Sequence, residues 1–431
     1  MQKNDYIIQR SGGDLWHFFH SDAEGLCLRK KEDSRWGDHE ILLDSAFFDF
    51  SVLCDGNDNM HLVCQDMEGA ILYLYFHHGQ WHKYTLLQSK SKSAYAKHFK
   101  LLLTGTQLQL YYTIRSGGKL LLIHQLPGSD REPTVVDAVR DSLRPFSAVC
   151  DDYQNTYLYY QNAEGILGGR AYQWSRKEFT EFASTGEAGA ESPFVYLDSF
   201  GRQHICAIQH MGLLYLQRGV DGQYDKKSHI ATGSDAPMYL PILLGDENKL
   251  WLLWRQGVAV YYARSGDDAE SWSSPTRFVS TGAAPQLFVF QRGTNVAYCW
   301  GYLSGGEIHL FATGKAERQN VQVRAAAQSS SQLQQKKEGQ DAEKFAARHV
   351  GEFGDKAAVA AAAATAADSI QTVRSAHPQS QSSASEVDLA KIKILISALG
   401  EQVCSHKKSI AQLTEKVQQM ETQLRDRCAG D

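Results

Sequence analysis

Seven times in its first 314 residues the chain repeats one phrase. An apolar run ends in a turn near Gly12, Gly56, Gly105, Asp152, Gly201, Asp246 and Gly293, with successive separations of 44, 49, 47, 49, 45 and 47 residues. A second run follows (MHLVCQ, LQLYYT and KLWLLW are examples), then a turn and a third run such as ILYLYF, KLLLIH or LLYLQR. A more polar stretch, often holding Trp or another aromatic, closes the phrase. The runs are short, bounded by turn formers and rich in aromatic and β-branched residues, which are strand signals. Four short strands per unit, in seven equal units, predict a seven-bladed β-propeller. A single small sheet leaves both faces bare, and radial stacking lets each unit cover the next. A sandwich has no need of seven equal units, and a β-helix has a shorter repeat. The last unit ends its third run near Ala312, and NVQVR at 320–324 offers an outer strand for it. No strand is evident ahead of Tyr6, so closure between the last and first units is expected to rest on side-chain packing.

Composition then divides the chain. Residues 1–314 hold 28 Lys+Arg, 35 Asp+Glu and all eight Trp, whereas Phe345 and Phe353 are the only aromatics beyond them. A segment without large apolar side chains has little burial to offset its ordering entropy. The expected domains are a propeller over 1–325, an Ala/Gln/Ser-rich flexible linker over 326–385 and a coiled coil over 386–427. Nine of the eleven residues 357–367 are Ala, which favours partial helix inside the linker.

No run of about 18 apolar residues is present, so no membrane-spanning helix is expected. The opening MQKNDYIIQRSGGDLW lacks the apolar stretch of a secretion signal. Six of the eight Cys (Cys27, Cys54, Cys64, Cys150, Cys206 and Cys299) fall in strand-like runs and read as small core residues, while Cys404 and Cys428 lie in the last segment. These features fit a cytoplasmic protein without a disulfide framework. The net charge of −5 gives no reason to expect a nucleic-acid partner.

One motif stands out. Residues 265–272 read SGDDAESW. This resembles the Asp-box, Ser-x-Asp-x-Gly-x-Thr/Ser-Trp, of the sialidase-like (BNR repeat) β-propeller superfamily. Ser265, Asp267, Ser271 and Trp272 match, and Ala269 stands where the family has Gly. The resemblance implies a structural turn between the third and fourth strands of a blade, with the Asp bonding the turn backbone and the Trp packing into the blade. Trp36, Trp81 and Tyr224 follow remnants of the same turn in other units. The resemblance is to the scaffold alone. The family's early Phe/Tyr-Arg-Ile-Pro motif has no match, because Arg10 sits in YIIQRSGG, and RPF at 144–146 falls in the wrong unit. No catalytic residues are assigned.

Other clusters carry less. His77, His78 and His82 in FHHGQWH read as outer-strand and turn residues, since strand alternation separates the first two. The turn Arg115–Gly118 is no phosphate loop, because no helix follows. No metal site and no cofactor are expected.

The end of the chain gives a heptad seam. Leu389, Ile396, Val403, Ile410, Val417 and Leu424 fall at a, with Ile392, Leu399, His406, Leu413 and Met420 at d. A strict 3.5 period over about five heptads predicts a coiled coil, as dimer or trimer. A single helix docked on the propeller is the alternative, although such a helix shows a wider stripe. The reading is therefore a non-catalytic binding or scaffold protein that presents a propeller through homo-oligomerisation, most simply to a protein partner. The alternative is a carbohydrate-binding or carbohydrate-active propeller, favoured by the motif and the many aromatics.

Overall fold

In a computed structural model, the structure describes residues 4–311 apart from 33–34, 91–93, 130, 233–235, 247–248 and 279–282. The linker, the heptad seam and NVQVR lie outside the described residues. Those described are mainly β, contain no helix and form a propeller-like array of antiparallel sheets.

Each sequence unit builds one local sheet, strand after strand in chain order. The first strands are Asn4–Gln9, Ala46–Cys54, Lys100–Thr104, Phe146–Cys150, Ala190–Leu197, Met238–Asp246 and Gln286–Arg292. Hairpins then add the second and third strands outward and, in every unit but the seventh among the described residues, a fourth. Burial falls in the same direction. In the fifth unit the second strand, Gln203–Gln209, is buried throughout, whereas the fourth, Tyr224–Ala231, is half exposed and alternates. A strand covered on both faces reads as a continuous apolar run, and a perimeter strand keeps a period of two.

The core is accordingly divided among the gaps between neighbouring units. One cluster joins units one and two (Phe18, Leu28, Phe50, Leu62), another units two and three (Val63, Leu101, Tyr112), and a large one units five to seven (Tyr215, Leu252, Trp254, Trp300). Backbone-to-side-chain bonds repeat across the gaps. Leu101 N donates to Ser51 Oγ at 3.1 Å, and Val195 N donates to Ser147 Oγ at 3.1 Å.

Two features depart from the sequence reading. First, the first and last units are joined by backbone as well as by side chains. Asn4–Gln9 pairs in parallel with Gln286–Arg292 over six residues, giving a seven-stranded sheet. The sequence shows no strand before Tyr6 because it places no apolar run there. Asn4 and Asp5 are polar, yet Asp5 is buried and accepts bonds from His17 at 2.9 Å and Gln286 at 2.9 Å. Second, the fourth unit carries an extra strand. Its third strand, Ile166–Gln173, pairs with both Glu178–Phe179 and Ala183–Ala188. Gly168 permits this, since a Cβ there would stand 2.6 Å from the Ala183 carbonyl oxygen.

Candidate functional site

In units two, four and five the turn between first and second strands has one device, an Asp that gathers the turn backbone. Asp55 accepts from Asn57 N at 2.8 Å and Asn59 N at 2.9 Å. Asp151 accepts from Asn155 N at 2.8 Å, and Asp198 from Phe200 N and Arg202 N at 2.9 Å each. Six residues after each Asp stands a ring that returns to it. His61 Nε2 lies 3.4 Å from Asp55, Tyr157 OH donates to Asp151 at 2.9 Å, and His204 Nε2 lies 3.1 Å from Asp198. The other nitrogen of each His, Nδ1, meets a Tyr hydroxyl of the third strand, Tyr73 or Tyr215, at 2.7 Å. The Asp therefore sees Nε2–H, and Nδ1 accepts from the phenol. Burial alone would raise the Asp55 carboxyl, but the bonds from His61, Asn59 and Asn57 outweigh it and hold it down to about 2.

Beside the fourth- and fifth-unit turns opens a cavity of about 1490 Å³, lined by the first strands and by the turns at their ends. Its volume exceeds the roughly 300–1,000 Å³ usual for a small-molecule site. Tyr153, Phe200 and Val220 stand at its rim, 85%, 64% and 76% exposed. Tyr153 and Phe200 occupy the same place in their turns, two residues after Asp151 and Asp198. The backbone beneath them is pinned, so the rings are displayed on a rigid base. Phe200 is further held by the Arg202 guanidinium, 5.2 Å from its ring centre. Asp152, Gln154 and Asn155 line the cavity beside Tyr153 and add acceptors and amide donors.

Deeper in the lining, Lys100 donates to the Tyr298 hydroxyl, with its ammonium 4.9 Å from that ring's centre. The carboxylates Asp151 and Asp198 are engaged by turn amides and rings. The cavity thus combines two cations, Lys100 and Arg218, with the turn-bound Asp151 and Asp198, two further carboxylates, Asp152 and Glu181, and rim aromatics. Such a lining is not a bare apolar funnel.

The motif residues meet in one turn of unit six, between Ala259–Ser265 and Thr276–Arg277. Ser265 Oγ donates to Asp267 at 2.7 Å and accepts from Ala269 N at 2.8 Å, while Ser271 N donates to Asp267 at 3.0 Å. Bonds from the Ser271 and Ser265 hydroxyls bring the Asp267 carboxyl down to about 2. Ala269 has φ of +65° and is buried. Trp272 is half-buried and meets Tyr215 of unit five edge-on at 5.0 Å. Arg202 bridges the two units, reaching Asp198 at 2.7 Å and Asp268 at 2.7 Å. Trp36, Trp81 and Tyr224 lie in the fourth strands of units one, two and five, apart from this turn.

Elsewhere, His77 and His78 come together instead of separating, with ring centres 3.8 Å apart, because His78 takes φ of +47° and breaks the strand alternation. Of the strand cysteines, Cys27, Cys54, Cys64 and Cys206 are buried, and Cys150 and Cys299 are half-buried. The sequence reading missed the rim aromatics. Their signal is the spacing from each turn Asp, which shows only when the units are aligned on that Asp.

No family model and no curated protein matches the chain. Among solved structures it is similar to a mutant lectin of Aleuria aurantia in complex with Fucalpha1-6GlcNAc, at 15% identity over 63% of this chain and 96% of that one, with a TM-score of 0.40. It is also similar to a mutant of AofleA from Arthrobotrys oligospora (12% identity, 65% and 87% covered, TM-score 0.40). A third is a polysaccharide lyase, an ulvan lyase bound to -[GlcA(1-4)Rha3S]- (9% identity, 72% and 91% covered, TM-score 0.47).

Proposed function

We propose that the chain is a non-catalytic carbohydrate-binding protein built on a seven-bladed propeller, with its ligand taken at the rim of the cavity. The observation that carries this reading is the pair of exposed rings, Tyr153 and Phe200, at equivalent places on Asp-pinned turns. A ring in water on a rigid turn costs solvation and returns nothing to the fold. It does offer a flat apolar face on which a sugar ring can stack, with turn amides and Asp152 to meet the hydroxyl groups. The commitment of Asp151 and Asp198 to their turns supports binding over hydrolysis.

The sequence pattern adds a second element to the proposal. The seam from Leu389 to Leu424 would join chains as a coiled coil, and joined rims raise the avidity of weak sugar contacts without any new contact. The motif at 265–272 enters this reading as an Asp-box in its structural role, bracing unit six against unit five.

A glycan array probed with the full chain tests the proposal. Binding to a defined set of glycans, lost in the Tyr153→Ala/Phe200→Ala double variant, is the expected result. An array with no binding, or binding that ignores both rings, rejects it.

A further inference from the structure

The cysteines do not all serve the same purpose. Cys54 and Cys64 pack into the cluster between units one and two, and Cys206 into that of units five to seven. Cys27 is fully buried yet belongs to none of the apolar clusters of the described residues. Its sulfur faces a carboxylate and an imidazole. Glu24, Cys27 and His39 bring one oxygen, one sulfur and one nitrogen within 4.8 Å of one another.

The local fold explains why they meet. Glu24 sits in the hairpin turn between Leu15–Ser21 and Gly25–Glu32, and Cys27 follows in the second of these strands. In the antiparallel ladder Cys27 stands opposite Ile41 and Arg29 opposite His39, so all four share one face of the sheet. Gly25 fixes the turn. Its φ is +82°, and a Cβ there would lie 2.3 Å from the Leu43 carbonyl oxygen and 2.6 Å from that of Asp44. The turn bearing Glu24 is thereby pressed onto the end of the fourth strand, which bears His39. Glu24 and His39 are 2.8 Å apart, and the His39 ring is set edge-on against Phe19 at 5.8 Å.

We infer that Glu24, Cys27 and His39 form a binding site for a zinc-class divalent metal ion, with a fourth position open to water. Thiolate, imidazole and carboxylate are the donors such an ion takes, and the thiolate disfavours magnesium and calcium, which take oxygen. Metal–ligand bonds of about 2.0–2.3 Å set donors roughly 3.3–3.7 Å apart in a tetrahedron. Glu24 and His39, 2.8 Å apart, therefore need to part by about half an ångström, and the sulfur of Cys27, within 4.8 Å of both, to close on them by up to about one, movements that the side chains of Glu24 and His39 permit on turn and edge. Those two are about two-fifths exposed (42% and 38%), so the ion has a path although Cys27 has none of its own. Burial and the Glu24 charge push the free thiol's pKa up, and a bound cation reverses both effects by exchanging the thiol proton for the metal. The site would tie turn, third strand and fourth strand of unit one together at its perimeter, apart from the cavity.

Cobalt(II) titration of the full chain carrying Cys404→Ser and Cys428→Ser tests this. The expected result is one equivalent bound, with the thiolate-to-cobalt charge-transfer band and tetrahedral visible bands, displaced by zinc. Cys27→Ser and His39→Ala should each abolish the bands. His39 is partly exposed, so its variant keeps the test open should Cys27→Ser fold poorly. Absence of the charge-transfer band in the parent, or its persistence in His39→Ala, overturns the site.

Discussion

The turn at 265–272 and the turns at 151–155 and 198–202 are made by the same chemistry and put to opposite uses. In each, a carboxylate collects the backbone amide four residues ahead, and Asp198 collects the one two ahead as well. In unit six the aromatic at the end of the turn, Trp272, folds back onto Tyr215 of its neighbour. In units four and five the aromatic at the tip, Tyr153 or Phe200, points into water at the cavity rim. An Asp-fixed turn is thus a neutral mount. What it carries depends on whether the following residues lead toward the neighbouring unit or away from it.

If that contrast is right, substitutions at the two kinds of turn should separate stability from binding. The largest loss of stability is expected from Trp272→Ala. Truncating a packed Trp costs about 3–5 kcal/mol, and half-burial places this one near the lower bound. A melting temperature unchanged from the parent would show that Trp272 only touches its neighbour.

Next comes Asp198→Ala. It strips partners from Phe200 N, Arg202 N, Arg202 Nε and His204 Nε2 and should cost about 1–3 kcal/mol by chemical denaturation. Because Arg202 also holds Asp268, the effect should be less than additive with Asp268→Ala. Strict additivity would mean that the two turns are independent.

Acid gives a smaller effect. Asp267 is held at about 2 in the fold by the Ser271 and Ser265 hydroxyls, against an unfolded value of about 3.9. A depressed carboxyl adds stability above its unfolded pKa and loses it as pH falls through the folded one. Parent stability should therefore decline between about pH 4 and pH 2, and Asp267→Asn should flatten part of that decline. Identical pH profiles for parent and variant would sever the link between this turn and acid sensitivity.

The propeller-like array was legible because its signal is repetition. Strand runs such as ILYLYF and LLYLQR recur with their turns, and no single run had to be read alone. The parallel join of Asn4–Gln9 to Gln286–Arg292 was not legible, because backbone pairing leaves no mark on polar residues such as Asn4 and Asp5. His78 escaped for a related reason: a left-handed residue resets strand alternation, and His does not announce that as Gly does. The grouping of Ser265, Asp267 and Ser271 could be read from eight consecutive residues. Tyr153 and Phe200 could not, since an aromatic in this chain usually reads as core, and only the assembled rim separates the displayed rings from the packed ones.

The smallest expected change in stability belongs to those two rings, and it accompanies the decisive measurement. Tyr153→Ala and Phe200→Ala should each leave unfolding free energy within about 0.5 kcal/mol of the parent, as for exposed side chains. Calorimetric titration with the strongest glycan from the array should show a loss of about 0.5–1.5 kcal/mol per ring, or roughly twofold to tenfold in affinity. Weakened binding at unchanged stability is the result predicted for rings displayed to a ligand. Full affinity in the double variant, or weakened binding only in step with lost stability, would contradict it.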